Sequence, residues 1–287
     1  MKYINPQTLV DTEWLASNLN NPNIRIVDAS YFLPGVDRDP IKEFIENHIP
    51  GAVFFDIEEI ADQESTQLHM LPDAIRFSEK VSKLGISNKE KIIVYDTNGG
   101  SMAAARCWWM FRVFEHKNVA LLNGGFPKWI AEKRPTENLM TTPKNINAIF
   151  SCKKNNSLVR DINQMLINVK TRNEQVVDAR SQERFNGKAP EPRKGARAGH
   201  IPGGFNLPYN NFLDKNKSYT MRSASELNKI VGDVGISLSQ PIVTSCGSGV
   251  SAAMLALGFF LIGKEDVAVY DGSWSEWGMR SDTPIEK

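Results

Sequence analysis

Short apolar runs alternate with stretches of helical periodicity along this chain. The apolar runs predict buried strands, because a strand covered on both faces shows continuous apolar character. They lie near residues 24–28, 53–55, 91–95 and 119–122, and again near residues 175–178, 205–207, 241–245 and 267–270. The periodic stretches predict helices near residues 7–19, 73–84, 101–115, 161–168, 223–234 and 250–262.

This alternation predicts an α/β fold in which each half of the chain forms a parallel sheet flanked by helices on both faces. A length of 287 residues is enough for about two domains. Ligands of open α/β sheets bind outside the carboxyl ends of the strands. Residues that directly follow strands are therefore the first candidates for a functional site.

The two halves also repeat each other at a period near 150 residues. Two of the repeated segments are Val27-Asp28-Ala29 with Val177-Asp178-Ala179, and His48-Ile49-Pro50-Gly51 with His200-Ile201-Pro202-Gly203. The period is too long and the copies are too few for a solenoid. We predict homologous domains at residues 1–140 and 157–287, joined by a polar linker at residues 141–156 whose end is a candidate edge strand.

A cysteine follows the last strand but one. Cys246 begins the segment Cys246-Gly247-Ser248-Gly249-Val250-Ser251, which predicts a tight loop that opens a helix. Backbone N–H groups at such a place favour negative charge, so the thiol is expected to ionise readily and act as a nucleophile. The alternative is a buried structural cysteine, but that role needs no pair of glycines to let backbone approach a ligand.

The repeat distinguishes residues that occur in both halves of the chain from residues that occur in only one half. Asp96 stands in the first half where Cys246 stands in the second, so the first domain is expected to be non-catalytic and to wall the cleft. His48 and His200 occur in both halves and are predicted to be structural turn residues, as are Asp28 and Asp178. Two arginines of the second half, Arg184 and Arg193, flank a segment with two prolines that predicts a non-helical loop; arginine forks bind carboxylates.

Composition and charge exclude several classes of function. The net charge is +1, and no dense basic run indicates nucleic-acid binding. No apolar stretch is long enough to span a bilayer, and the start of the chain has no secretory pattern. Three cysteines, too sparse for a disulfide framework or a zinc site, favour a reducing compartment, and we expect a cytoplasmic protein.

With these motifs, the chain resembles the tandem-domain rhodanese-like sulfurtransferases over nearly its whole length. The segment of residues 246–252 is similar to that of the 3-mercaptopyruvate sulfurtransferase subfamily; thiosulfate-preferring rhodaneses carry basic residues where Gly247 and Ser248 stand. Further similar segments are Leu33-Pro34-Gly35, Phe54-Phe55-Asp56-Ile57, Trp108-Trp109-Met110-Phe111-Arg112 and Glu191-Pro192-Arg193.

The resemblance implies the chemistry and its residues. Cys246 would form a persulfide with the sulfur of 3-mercaptopyruvate, and pyruvate would leave. The acceptor of the sulfur would then be a thiol, either thioredoxin or a small thiol, or else cyanide. Arg184 and Arg193 would hold the substrate, and the N–H groups of residues 247–251 (Gly247, Ser248, Gly249, Val250 and Ser251) would cradle the persulfide. A relay would consist of Ser248, His69 and Glu58, where the family usually has Asp. No metal or organic cofactor is expected.

Three other functions are weighed against this one. A thiosulfate:cyanide sulfurtransferase remains the closest alternative, and a persulfide carrier or sensor without turnover is a non-enzymatic one. A cysteine phosphatase needs an arginine six residues after the cysteine, where this chain has Ala252. The phosphatase is therefore excluded, and a turnover assay would separate the other two.

Overall fold

A computed structural model describes residues 1–33, 35–99, 102–140 and 145–287 of the chain. Pro34, the predicted helix start at Ser101 and residues 141–144 of the predicted linker lie outside the described residues.

The first half forms a parallel sheet with the strand order β1-β5-β4-β2-β3. Its strands are β1 (Leu9–Val10), β2 (Ile24–Asp28), β3 (Ala52–Phe54), β4 (Lys91–Tyr95) and β5 (Val119–Leu122). Its helices are α1 (Thr12–Ala16), α2 (Pro40–Glu46), α3 (Ile57–Ile60), α4 (Ala74–Lys83), α5 (Met102–Val113) and α6 (Gly125–Ala131).

The second half repeats this arrangement as a parallel sheet of order β6-β12-β11-β7-β8. Its strands are β6 (Val159–Arg160), β7 (Gln175–Asp178), β8 (Phe205–Asn206), β11 (Ile242–Ser245) and β12 (Ala268–Tyr270), and a separate antiparallel pair is formed by β9 (Leu213–Asp214) and β10 (Thr220–Met221). Its helices are α7 (Ile162–Thr171), α8 (Gln182–Phe185), α9 (Ala224–Asp233), α10 (Ala252–Leu261) and α11 (Ser273–Trp277). The predicted α/β fold with two like halves is confirmed.

The central strands are buried because helices cover both faces of each sheet. All residues of β5 and β11 are buried, which explains the continuous apolar sequence of β5 and the apolar start of β11 at Ile242 and Val243. Surface helices start at polar caps: Asp73 accepts the Arg76 N–H before α4, and Ser223 forms a reciprocal capping box with Glu226 before α9.

The two halves join through α5 and α10, which pack against each other. All ten residues of α10 are buried, so this helix shows no polar face. Trp108 of α5 meets Phe260 of α10 edge to face with ring centroids 5.5 Å apart. One hydrophobic core continues across the contact and includes residues of both sheets. The interface therefore holds the two halves in a fixed relation along α10, the helix that follows the Cys246 loop.

The predicted helix over residues 7–19 is wrong in its first part. A short 3₁₀ turn at Pro6–Thr8 leads into β1, and the α-helix begins only after Asp11. Leu9 and Val10 pair with Leu121 and Leu122 of β5, so sheet pairing overrides the helical periodicity. The predicted edge strand of the second half is β6, just after the predicted linker, and it pairs with β12.

The repeated His-Ile-Pro-Gly turns have the same structure in both halves. The Nδ1 atom of His48 lies 2.6 Å from the carbonyl oxygen of Phe44, and the Nδ1 atom of His200 lies 2.9 Å from that of Phe185. Each imidazole stacks on the same phenylalanine, with centroids 4.0 and 3.6 Å apart. Both histidines are thus structural turn residues, as predicted.

Candidate active site

Cys246 directly follows β11, and the loop of residues 247–251 connects it to α10. Its backbone N–H donates to Ser273 Oγ at 3.1 Å, and its carbonyl accepts from the Trp274 N–H at 2.9 Å. These bonds fix the strand end against α11. The residue is 1% exposed, so the thiol lies beneath the surface of the cleft.

The two glycines of the loop have different roles. Gly249 has a φ of +75°, and a Cβ there would lie 2.7 Å from the Asp271 carbonyl oxygen, so only glycine fits. A Cβ on Gly247 would lie 3.5 Å from Arg184 Nη2, an ordinary contact. Backbone packing alone therefore requires a glycine at position 249, and the expectation that the two glycines also serve close approach of a ligand stays a prediction.

A cavity of about 580 Å³ opens above the cysteine loop. Both halves line it, the first with an apolar wall and the second with the charged groups. The lining residues are Tyr31, Leu33, Gly35, Val36, Leu68, Arg184, Glu191, Pro192, Arg193, Lys194, Ala196, Gly247, Ser248, Trp274 and Ser275. A cavity of this size accommodates a small organic acid and part of an acceptor.

Both predicted arginines lie at this cavity. Arg193 Nη1 donates to the carbonyl of Gly247 at 3.3 Å, and burial lowers the pKa of its guanidinium. Arg184 Nη2 donates to Glu191 at 2.6 Å, and the same carboxylate accepts from Arg180 at 2.8 Å. Arg184 lies in the short helix α8, so the prediction of a non-helical segment is wrong at this residue. Glu191 orients the fork of Arg184 beside the cysteine loop.

The three residues of the predicted relay come together across the interface. His69 Nδ1 lies 3.1 Å from Ser248 Oγ, and His69 Nε2 lies 3.6 Å from Glu58 Oε1. His69 is buried, whereas the Glu58 side chain is 64% exposed. The first contact is a hydrogen bond, and the second is longer than one.

The electrostatic surroundings keep His69 neutral. Burial, together with the charges of Arg106 and Arg193, lowers the pKa of His69 to about 3. The hydrogen bond with Ser248 acts in the opposite direction and raises this pKa. Burial and the neighbouring Asp56 raise the pKa of Glu58. A neutral imidazole carries a proton on one ring nitrogen and accepts a hydrogen bond at the other, so His69 can take part in a proton relay without being charged.

A buried ion pair that the sequence analysis missed supports this arrangement. Arg106 of α5 donates to Asp271 Oδ1 at 2.7 Å and to the carbonyl of Gly249 at 3.3 Å, and it also binds the carbonyl of His69. Asp271 Oδ2 accepts from the Leu71 N–H at 2.7 Å. The available signal was the arginine within the otherwise apolar run of residues 102–111, because an isolated buried charge needs a partner.

The corresponding place in the first half holds a carboxylate. Asp96 Oδ2 accepts the N–H groups of Ala103 and Ala104, at 3.1 and 3.0 Å, in the first turn of α5. Its carbonyl accepts from the Phe126 N–H, as that of Cys246 does from Trp274. The half keeps the backbone frame of the cysteine site without a nucleophile.

Comparison with known proteins agrees with this geometry. The model of the rhodanese-like domain matches residues 11–132 and 160–280. The chain belongs to the rhodanese-like family. It is a tandem-domain member of the sulfurtransferases, as the sequence predicts.

Relatives with two different names are similar over nearly the whole chain. Thiosulfate sulfurtransferase of Rattus norvegicus is 44% identical over 281 residues, covering 96% of this chain and 93% of its own. The mitochondrial thiosulfate/3-mercaptopyruvate sulfurtransferase 1 of Arabidopsis thaliana is 41% identical, covering 98% and 78%. The crystal structure of SseA from Escherichia coli, a 3-mercaptopyruvate sulfotransferase, matches with a TM-score of 0.82 at 34% identity, covering 93% and 98%.

Two kinds of feature are absent from the part of the chain that the structure describes. There, no three His, Cys, Asp or Glu side chains are grouped so that they could hold a metal ion. No helix of this part is both long and apolar enough to cross a membrane.

Proposed function

We propose that this sulfurtransferase takes the sulfur of 3-mercaptopyruvate onto Cys246 as a persulfide, releases pyruvate and passes the sulfur to a thiol or to cyanide. The observation that carries the proposal is the hydrogen bond between Ser248 and a neutral His69 next to Cys246. Such a pair is useful when the leaving group is a carbanion that needs a proton, as pyruvate enolate does.

The two arginines support binding of the substrate. Arg184 and Arg193 line the cavity on the side of the cysteine loop, and their forks can hold the carboxylate and the keto oxygen. They also offset the charge that develops on the enolate oxygen. Holding the substrate in this way aligns its sulfur with Cys246, and positioning of this kind can lower a barrier by several kcal/mol.

The first step of the proposed reaction conserves atoms and charge. The Cys246 thiolate attacks the substrate sulfur, the S–S bond forms, and the C–S bond breaks with its electron pair on the methylene carbon. The proton of the substrate thiol passes through Ser248 and His69 to that carbon. The products are the Cys246 persulfide anion and pyruvate, and Glu58 orients His69.

The second step returns the enzyme to its starting state. An acceptor thiolate or cyanide attacks the outer sulfur, a new S–S or C–S bond forms, and the Cys246 thiolate leaves. The N–H groups of residues 247–251 are proposed to hold the persulfide between the steps. We further propose thioredoxin or a small thiol as acceptor and the cytoplasm as location, although one relative is named mitochondrial.

A thiosulfate:cyanide sulfurtransferase is the second candidate, because relatives with that name are 44% identical. Thiosulfate is a dianion that favours cations beside the attacked sulfur. Neither Gly247 nor Ser248, the residues after the cysteine, carries charge. This difference favours 3-mercaptopyruvate as the better donor.

Mass spectrometry of the intact protein tests the proposal. The protein is incubated with 3-mercaptopyruvate or with thiosulfate, and the site is mapped on peptides. We expect one added sulfur on Cys246 from 3-mercaptopyruvate, one pyruvate released per sulfur, and removal of the sulfur by cyanide. Loading by thiosulfate alone would favour the second candidate, and loading of Cys107 or Cys152 would overturn the assignment of Cys246.

A further inference from the structure

A second cavity, of about 280 Å³, opens at the interface between the two halves, far from Cys246. It lies where β4 and β5 begin and where α5 and α10 end, whereas Cys246 follows the carboxyl end of β11. We call it the interdomain cavity; its lining includes Asn5, Lys91, Arg112, Lys117, Phe260 and Glu265.

Arg112 is the central group of the interdomain cavity. Its guanidinium carbon lies 3.9 Å from the ring centroid of Phe260 and 5.0 Å from that of Trp108, so aromatic rings of both halves fix its position. Burial lowers its pKa to about 10, although the charge of Glu265 opposes this. The guanidinium stays protonated at neutral pH.

The donors of this guanidinium are unused within the described residues. The Arg112 side chain has no hydrogen bond and no ion pair there, in contrast to that of Arg106, which binds two carbonyls and a carboxylate. The guanidinium carries five N–H donors, and none of them is a buried donor without a partner, so they face the solvent of the cavity. The arrangement therefore has donors that are oriented and ready for an acceptor from outside.

The charges around the cavity favour an anion. Lys91 and Lys117 add two positive charges to that of Arg112, and Glu265 is the one carboxylate among the lining residues. Glu265 Oε1 accepts from Asn5 Nδ2 at 2.9 Å, so its charge is engaged at the edge formed by the N-terminal segment. Three positive side chains and one negative side chain give the lining an excess of two positive charges. This excess matches a doubly charged anion better than a ligand with one carboxylate group.

We propose that the interdomain cavity binds a phosphate group, free or carried by a small metabolite. The fork of Arg112 binds two phosphate oxygens, and Lys91 and Lys117 add charge from the sides. The volume leaves space for a small organic substituent. Because residues of both halves form the cavity, bound phosphate stabilises the interface between them and raises the melting temperature.

Calorimetric titration of the full chain with inorganic phosphate tests this proposal. Ionic strength is held constant with chloride, since exposed charges are screened by salt. We expect one saturable site that is lost in Arg112→Gln and weakened about 5-fold in Lys117→Ala, the effect of one partly exposed charge. Lys153→Ala, which removes an exposed lysine outside the cavity, should bind as the wild type does.

A second variant separates the two cavities, because Arg184 and Arg193 could also attract phosphate. Arg193→Ala should keep the site, with unchanged affinity. Binding lost in Arg193→Ala but kept in Arg112→Gln would overturn the proposal, as would the absence of saturable binding in the millimolar range. Circular dichroism and retained sulfurtransferase activity of Arg112→Gln control for folding, and Lys117→Ala supplies the answer should that variant fail to fold.

Titration with glycerol 3-phosphate distinguishes the two sources of the phosphate group. Tighter binding of the ester than of inorganic phosphate would indicate a metabolite, and equal binding would indicate the free anion. Either result supports the site only if Arg112→Gln abolishes it.

Discussion

The loops after β4 and β11 are built on the same frame but serve different ends. In both, the carbonyl of the first loop residue accepts an N–H from the helix after the next strand, Phe126 in the first half and Trp274 in the second. In the first half the Asp96 carboxylate also accepts the amides that open α5. The carboxylate of Asp96 satisfies these N–H donors by itself. The side chain of Cys246 has no oxygen atom that could do the same.

The comparison teaches how a site can lose its chemistry and keep its structure. Asp96 supplies within the chain the negative charge that a helix start favours. At Cys246 we propose that the charge comes from the thiolate or persulfide sulfur instead. The first half instead places His69 and Arg106 at the interface beside the loop that follows Cys246.

The largest expected effect follows from removal of the nucleophile. Cys246→Ser should lower turnover of 3-mercaptopyruvate by about three orders of magnitude or more, because a hydroxyl is a poor nucleophile toward sulfur. Pyruvate release and thermal unfolding are measured together. Cys152→Ser, which changes a half-buried thiol elsewhere, is the matched control; a variant at Cys246 that turns over normally would remove the distinction between the two loops.

Next in size is the effect of breaking the buried ion pair between the halves. Arg106→Gln leaves Asp271 buried without its charge partner, which costs about 3–5 kcal/mol of unfolding free energy. It also frees the carbonyls of His69 and Gly249, so activity falls as well. Urea denaturation measures the change. Arg280→Gln, in an exposed pair, should leave stability nearly unchanged, and similar losses in both variants would argue against a special role for Arg106.

Ser248→Ala sharpens the comparison because it should affect the two sulfur donors, 3-mercaptopyruvate and thiosulfate, differently. With 3-mercaptopyruvate we expect kcat to fall about 100-fold, because the enolate loses its proton relay. Loading from thiosulfate forms no carbanion and should change little. Ser251→Ala in the same loop, whose hydroxyl caps no N–H, is the control. Equal losses with both donors would indicate a structural role for the Ser248 hydroxyl.

A smaller effect is expected for the substrate arginine. Arg193→Ala should raise KM for 3-mercaptopyruvate roughly 10- to 100-fold, the range for a lost charge-assisted hydrogen bond. The melting temperature should change little, because the guanidinium makes one hydrogen bond to the protein, at 3.3 Å, within the described residues. Steady-state kinetics give the answer, and an unchanged KM would mean that the carboxylate is bound elsewhere.

The smallest effect is a change in the pH dependence of stability. The folded pKa of His69, about 3, is below the usual value of 6.5, so the unfolded chain takes up a proton first as pH falls. This contribution to stability is complete above about pH 6.5 and is lost toward about pH 3. Asparagine tolerates the φ of +60° at this position, so His69→Asn keeps the backbone conformation. The urea midpoint of this variant should fall less steeply than that of the wild type between about pH 7 and about pH 4.5. Parallel curves would contradict the shifted pKa.

The sequence predicted the strands and long helices well because each is a continuous buried run or a strongly periodic one. It failed in the first part of the helix predicted over residues 7–19, where Leu9 and Val10 pair with β5, a contact more than a hundred residues away. It located Cys246, Arg184 and Arg193 because their motifs are local. His69 was recognisable only through the family resemblance, and Arg106 and Asp271 were missed, since they meet only when the halves pack.

The position of Arg106 has a consequence for how such a protein can evolve. One side chain of the half without a nucleophile holds both the loop that follows Cys246 and the backbone of His69. A substitution in the first copy that shifts Arg106 also shifts the loop that follows Cys246 in the second. We therefore expect the two copies to accept changes at this contact only together.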